Sequence, residues 1–220
     1  LHASTQADVR TADKVRFLAK AGFSRVVLAR ELSLDEIFAI HNACPDVELE
    51  CFVHGALCVS YSGQCYASHY CFGRSANRGE CAQFCRLPFS VTDSDGNLLL
   101  KEKYPLSLKD MNRIGQLEKL LDAGVVSLKI EGRLKDITYV KNITAAYRQE
   151  LDRVFKRRKE FVKSSAGFVQ YTFSPQPDRS FNRGFTDYML NGSKSDIWSV
   201  DTPKAVGEPM GRIRICGRNW

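Results

Sequence analysis

Along the first 160 positions, short continuous apolar runs alternate with stretches of helical spacing, which predicts strands and helices in turn. LHAST at the start forms a short strand. Residues 12–21 carry Val15, Phe17, Leu18 and Ala21 and stop at Gly22, a helix. Residues 25–29 form a second strand whose core, Val26, Val27 and Leu28, is continuous rather than alternating, as suits a parallel strand covered on both faces. Ser33 caps the next helix. Glu36 stands at capping-box spacing from it, and Leu34, Ile37 and Ile40 supply the buried stripe. Residues 47–53 make a third strand, residues 89–92 and 98–100 flank the hairpin signal DSDGN, and Ile114, Leu117, Leu120 and Leu121 mark a helix closed by Gly124. A strand over 125–130 and a long helix over about 136–156 follow.

Strand–helix–strand units of this length predict an α/β fold with parallel strands, either a barrel or an open doubly wound sheet. Polar groups stand directly after strand ends: Arg30 and Glu31 after VVLA, His54 after ELECFV, Glu131 and Arg133 after SLKI. Barrel enzymes place their working residues there, so a TIM-like (β/α) barrel is the expected form. About four such strands are visible and the first has no preceding helix, so the expectation for residues 1–160 is the later half of a barrel from a longer protein. Beyond it, FVQYTFSPQPDRSFNRGFTDYMLNG has neither period, and residues 161–205 are expected to be a linker or extended arm. Asn182, Arg183 and Gly184 form a surface turn there, or a binding loop. GRIRIC alternates, predicting that residues 206–220 begin a small, truncated β domain.

With 44% apolar and 26% charged residues in 220, the chain can bury a real core. No run approaches the roughly twenty apolar residues of a membrane span, so a soluble, cytoplasmic protein without membrane contact is expected. The net charge of +7 leans toward anionic partners. Residues 148–163 hold seven basic side chains against three acidic ones, either a solvated helix face or an RNA-facing patch.

The chemistry concentrates in GALCVSYSGQCYASHYCFGRSANRGECAQFC. Cys58, Cys65, Cys81 and Cys85 are separated by six, fifteen and three residues, and the glycines between them let the loop fold back on itself. Three readings compete. Zinc sites pair their ligands as two short knuckles, and only Cys81 and Cys85 have that spacing. An iron-sulfur cluster tolerates irregular separations. Disulfides fit a secreted chain, whereas the start, with His2, Asp8, Arg10, Asp13 and Lys14, carries no signal peptide. The spacing suits the cluster best and leaves zinc or inert buried thiols open. A peptidase is the competing function class: His54 lies four residues from Cys58, the two groups a cysteine peptidase brings together, although HExxH and GxSxG are absent.

ELECFVHGALCVSYSGQCYASHY, GRSANRGECAQFCR and SLKIEGRLKD, in this order over residues 1–152, resemble peptidase family U32, the collagenase-like group. The resemblance implies an incomplete TIM-like barrel, an iron-sulfur cluster, expected as 4Fe-4S, held by the signature loop, and an oxygen-independent or prephenate-dependent hydroxylation. RNA is then the expected partner. KIEGRLKD followed by YVKNITAAYRQELD is similar to the branch that forms hydroxycytidine in 23S ribosomal RNA; other branches hydroxylate the wobble uridine of tRNA or serve ubiquinone synthesis. Some relatives place a cluster cysteine after SLKD, where this chain has Asn112, so the implied ligands are Cys58, Cys65, Cys81 and Cys85. Cys44, Cys51, Cys71 and Cys216 fall outside the pattern. For such chemistry Arg30 and Arg133 are candidate holders of a phosphate or of a dicarboxylate such as prephenate, and Glu31, Glu50 and Glu131 are candidate bases or orienters of these arginines. His54 is a candidate for orienting cluster or substrate, and Lys129 is expected to point into the barrel mouth. Salt bridges at the rim are the alternative for each of these charges. Under the peptidase alternative the substrate is a peptide.

Overall fold

The computed structural model describes residues 1–192, 196–202, 204–207 and 211–214. β1 (His2–Ala3), β2 (Arg25–Val27) and β3 (Glu48–Ala56) pair in parallel in that order, and β7 (Val125–Ile130) runs parallel to β3 along Leu49 to His54. β6 (Asp110–Asn112) pairs antiparallel with the last three residues of β3, and β8 (Phe185–Thr186) runs parallel to β6. β4 (Phe89–Thr92) and β5 (Leu98–Lys103) form a separate two-stranded sheet.

The α/β class is as the periodicity predicts, but the main sheet is mixed rather than purely parallel. Among the described residues it remains an open six-stranded sheet. β6 escapes sequence reading because a three-residue strand has no period to detect. The first two strands are also shorter than expected: a 3-10 turn over Thr5–Ala7 ends β1, and β2 stops at Val27, with Leu28 bridging only to Val9. Within the expected arm, β8 joins the sheet and Tyr188, Leu190 and Ile197 are buried. Residues 211–214 of the expected terminal strand carry no strand, and 215–220, Cys216 included, lie outside the described residues.

The helices α1 (Ala12–Lys20), α2 (Leu34–Ala43), α4 (Leu117–Asp122) and α5 (Ile137–Arg157) pack in a row. Their apolar stripes, including Val15, Ile37, Ile40, Leu117, Leu120 and Ile143, meet Leu49, Cys51 and Val53 of β3 in one core. The pleat turns the intervening β3 residues to the other face. There Phe52 joins Val27, Leu57, Leu108 and Met111 in a second, smaller core, and Glu50 forms ion pairs with Arg25 and Lys129. Helices thus cover one face of the sheet, while the opposite face is polar near its middle and apolar toward the carboxyl ends of the strands. Ser33 forms the expected capping box, its hydroxyl and Glu36 bonding each other's backbone N–H.

Candidate functional site

The cysteine loop follows the end of β3, where Gly55 has a φ of +105° that favours glycine and where any Cβ would collide with the Glu131 carbonyl. That close approach lets the loop start against the end of β7. Arg86 closes the loop: its guanidinium donates to Leu57 O (2.6 Å), Ser107 Oγ (2.7 Å) and Leu108 O (3.0 Å). Residues 57 and 86 are thereby bound together, which brings their neighbours Cys58 and Cys85 to one place. The interior is anchored too. Glu31 accepts from Ser62 N (2.9 Å) and Ser62 Oγ (3.1 Å), Gln64 Nε2 donates to Asp8 (2.6 Å), and Asn77 Nδ2 donates to Gly63 O (3.2 Å). A short helix, α3 (Ala67–Phe72), lies inside the loop, and Ser68 at its start accepts from Ala82 N (3.1 Å).

These ties bring the four predicted cysteines into electrostatic reach of one another. Burial raises the thiol pKa of Cys58 and Cys85, and the neighbouring members of the quartet raise both further. All four are half-buried, whereas Cys71 is exposed and Cys44 and Cys51 are buried in the helical core. Burial pushes the Cys51 thiol up to about 12, which makes it inert. Backbone N–H groups face the quartet: Ser60 donates to Cys58, and Gln83 donates to Cys81 Sγ (3.4 Å). Among the described residues no three His, Cys, Asp or Glu side chains close around a single ion.

Around the quartet the sequence-derived charges fall into distinct places. Arg30 lies within reach of Cys58, its guanidinium 5.8 Å from the Phe52 ring, and among the described residues it forms no ion pair. Arg133 leans on the loop, its Nη1 2.9 Å from where a Cβ at Gly79 would stand. Among the described residues neither Glu31 nor Glu131 forms an ion pair with these arginines: Glu31 holds Ser62 and pairs with Arg10 (3.4 Å), and Glu131 accepts the backbone N–H of Arg133 (2.8 Å). Glu50 sits on the open face with Lys129 Nζ at 3.2 Å, so Lys129 does point away from the helices. Burial opposes ionisation of Glu50, but Ser127, Lys129 and Arg25 outweigh it and its pKa falls below the usual range.

His54 is buried, at 2% exposure, among Tyr139, Tyr147 and Phe185. Its Nδ1 lies 3.2 Å from the Tyr147 hydroxyl, which donates to Val53 O at 2.7 Å. Burial pulls the imidazole pKa down to about 4, so it is neutral at physiological pH. Asn112, the departure from a cysteine, sits beside Tyr147 (3.3 Å) rather than beside the quartet's thiols. Three further groups were not among the sequence-derived site residues. Arg113, 2% exposed, donates to the carbonyls of Phe52, Arg30 and Asp187 and so ties β2, β3 and the segment after β8 together. Asp110 accepts from Arg183 N (2.9 Å) and Arg183 Nη1 (3.1 Å) in a buried pair. Tyr139 and Tyr147 stand eight residues apart on α5, two helical turns, and only that spacing hinted at one shared face.

The profile of peptidase family U32 matches residues 1–199. The chain belongs to this family. A 23S rRNA 5-hydroxycytidine C2501 synthase of Escherichia coli is 53% identical over 97% of this chain and 32% of its own length. A collagenase of Porphyromonas gingivalis is 36% identical over 90% of the chain and 49% of its own. A tRNA hydroxylation protein P1 of Bacillus subtilis is 35% identical over 88% and 46%. The U32 chain therefore spans about a third to a half of the length of these relatives. No solved structure gives a significant match.

Two expectations for the U32 chain meet the geometry differently. A cysteine peptidase needs an imidazole beside its thiol; His54 instead pairs with the Tyr147 hydroxyl and packs among Tyr139, Tyr147 and Phe185. The basic run is largely neutralised, with Arg148, Arg153, Arg157, Arg158 and Lys163 all paired to carboxylates. It is the solvated helix face rather than an open cationic patch. Among the described residues no helix is long and apolar enough to cross a membrane.

Proposed function

We propose that this chain is the cysteine-bearing part of an RNA hydroxylase that forms 5-hydroxycytidine in 23S ribosomal RNA, with Cys58, Cys65, Cys81 and Cys85 holding a 4Fe-4S cluster and prephenate as co-substrate. One observation carries the reading: a chain 53% identical to a 23S rRNA 5-hydroxycytidine synthase gathers four cysteines at the carboxyl edge of its parallel strands. The tRNA hydroxylation relatives support RNA as the substrate class. Helices on one sheet face only, with a polar opposite face, support the later half of a TIM-like barrel whose interior is that polar face. Ribosomal RNA as substrate places the work in the cytoplasm.

The cluster, when bound, supplies one-electron transfer or a Lewis-acidic iron. The chain's own groups bind and position. Arg30, in electrostatic reach of Cys58, and Arg133, against the loop at Gly79, are cations suited to the carboxylates of prephenate or a backbone phosphate. Glu50, kept ionised by Ser127 and Lys129, is a weak base with a lowered pKa and acts as the carboxylate that positions Lys129. Glu31 and Glu131 are positioning residues, fixing Ser62 of the loop and the Arg133 backbone. Neutral His54 holds Tyr147 and through it the end of β3. Mass spectrometry of 23S rRNA from cells lacking the full-length protein tests the proposal. Loss of one hydroxyl on one cytidine, restored by the wild-type gene but not by Cys81→Ala, is expected; unchanged RNA masses would overturn it.

A further inference from the structure

A cavity opens next to the cysteine loop, lined by loop residues directly after Cys58. It has a volume of about 210 Å³, and its walls include Val59, Tyr61, Tyr188, Met189 and Trp198. Drug-sized ligands occupy pockets of roughly 300 Å³ or more, so this one has room for a single small ring. Val59 and Tyr61 belong to the cysteine loop directly after Cys58, and the Tyr188 hydroxyl lies within electrostatic reach of Cys58, Arg30, Glu31 and Tyr61.

Its aromatic walls are held, not loose. Residues 197–199 dock on 107–109 through Lys109 N to Ile197 O (2.9 Å) and Ser199 N to Ser107 O (2.8 Å), and Leu108 bridges Trp198. Ser107 and Leu108 are the groups that Arg86 ties to the loop, so the Trp198 wall and the cysteine quartet share one brace. Trp198 is nevertheless 45% exposed and Tyr61 50%. Tyr188, almost fully buried, adopts φ +63°, a left-handed backbone that is unusual for an aromatic residue and persists only where its surroundings enforce it. Two half-exposed aromatic side chains fixed around a small cleft, with the Arg30 cation, which forms no ion pair among the described residues, in electrostatic reach of Tyr188 in its wall, match an unstacked base with its phosphate: π-faces accept the ring and the guanidinium accepts the anion.

We infer that this cleft seats the target pyrimidine of the RNA, turned out of its stack against Trp198 and Tyr61 so that the ring edge faces the quartet. The inference rests on the RNA-hydroxylase reading above and adds the residues that select a single-ring base. It is tested in the full-length protein with a short single-stranded RNA carrying one 5-iodocytidine, irradiated and mapped by peptide mass spectrometry, alongside hydroxylation of 23S rRNA in cells carrying the variants. Cross-links on Trp198 or Tyr61 are expected. Trp198→Ala should lower hydroxylation about tenfold or more, the scale of one lost base–aromatic stack, while Trp198→Phe, which keeps a π-face, stays within about threefold of wild type. Cross-links confined to other residues overturn the inference even if Trp198→Ala fails to fold. A wild type that hydroxylates RNA beside an equally active Trp198→Ala, Tyr61→Ala double variant sinks the base seat alone. A wild type that leaves the RNA unmodified sinks the hydroxylase reading and the base seat with it.

Discussion

His54 shows how burial changes a residue's part. In the sequence it is an imidazole four residues from a thiol; in the fold it is a neutral ring among aromatics, with a pKa near 4 against an ordinary 6.5. Because the unfolded chain takes up the proton near 6.5 and the folded chain only near 4, the unfolded state binds more protons between those values. Stability conferred by neutral His54 is therefore full above about pH 6.5 and lost as pH falls toward 4, by about 3 kcal/mol in all. Urea midpoints at pH 7 and pH 4.5 should show this loss, and a His54→Asn variant should show a smaller one. Asp110 makes a second residue-level case. Arg183→Met would leave its 2%-exposed carboxyl without the guanidinium, at a cost of about 3 kcal/mol in urea unfolding, whereas replacing exposed Asp13 should cost almost nothing.

At the scale of elements, the long periodic segments were legible and the short ones were not. α2 was readable from Ser33 and Glu36, and α5 from its apolar spacing, because capping and amphipathicity are local codes. β6 and β8 are three and two residues long, and their pairing depends on partners more than fifty residues away. Phe17 was counted in the α1 stripe, yet it lies two residues from Val15, on another side of the helix, and is exposed. The cysteine quartet was legible as spacing, but its brace, Arg86, was not, since nothing local marks an arginine that donates to a carbonyl 29 residues earlier and another 22 residues later. Two substitutions test the elements themselves. Gly55→Ala, with φ +105° and no room beside the Glu131 carbonyl, should cost at least about 2 kcal/mol and loosen the start of the loop. Ser33→Ala, which removes only a cap, should cost about 1 kcal/mol by thermal unfolding.

For the whole molecule, the arrangement is a helix-backed sheet whose opposite face carries Glu50, Lys129 and Arg25 near its middle and whose carboxyl edge carries the cysteine loop. A polar sheet face of this kind needs a covering layer or substrate. In relatives two to three times longer than this chain, the remaining residues are the natural source of the layer. The claim on which the account turns is that the four loop cysteines bind iron and sulfide together. Iron and acid-labile sulfide should therefore be assayed in the full-length protein purified without oxygen. The account predicts about four of each per chain, with both lost together in Cys81→Ala and Cys85→Ala but kept in Cys71→Ala. A stoichiometric zinc without sulfide, or iron and sulfide undiminished when Cys81 and Cys85 are both replaced, would contradict it.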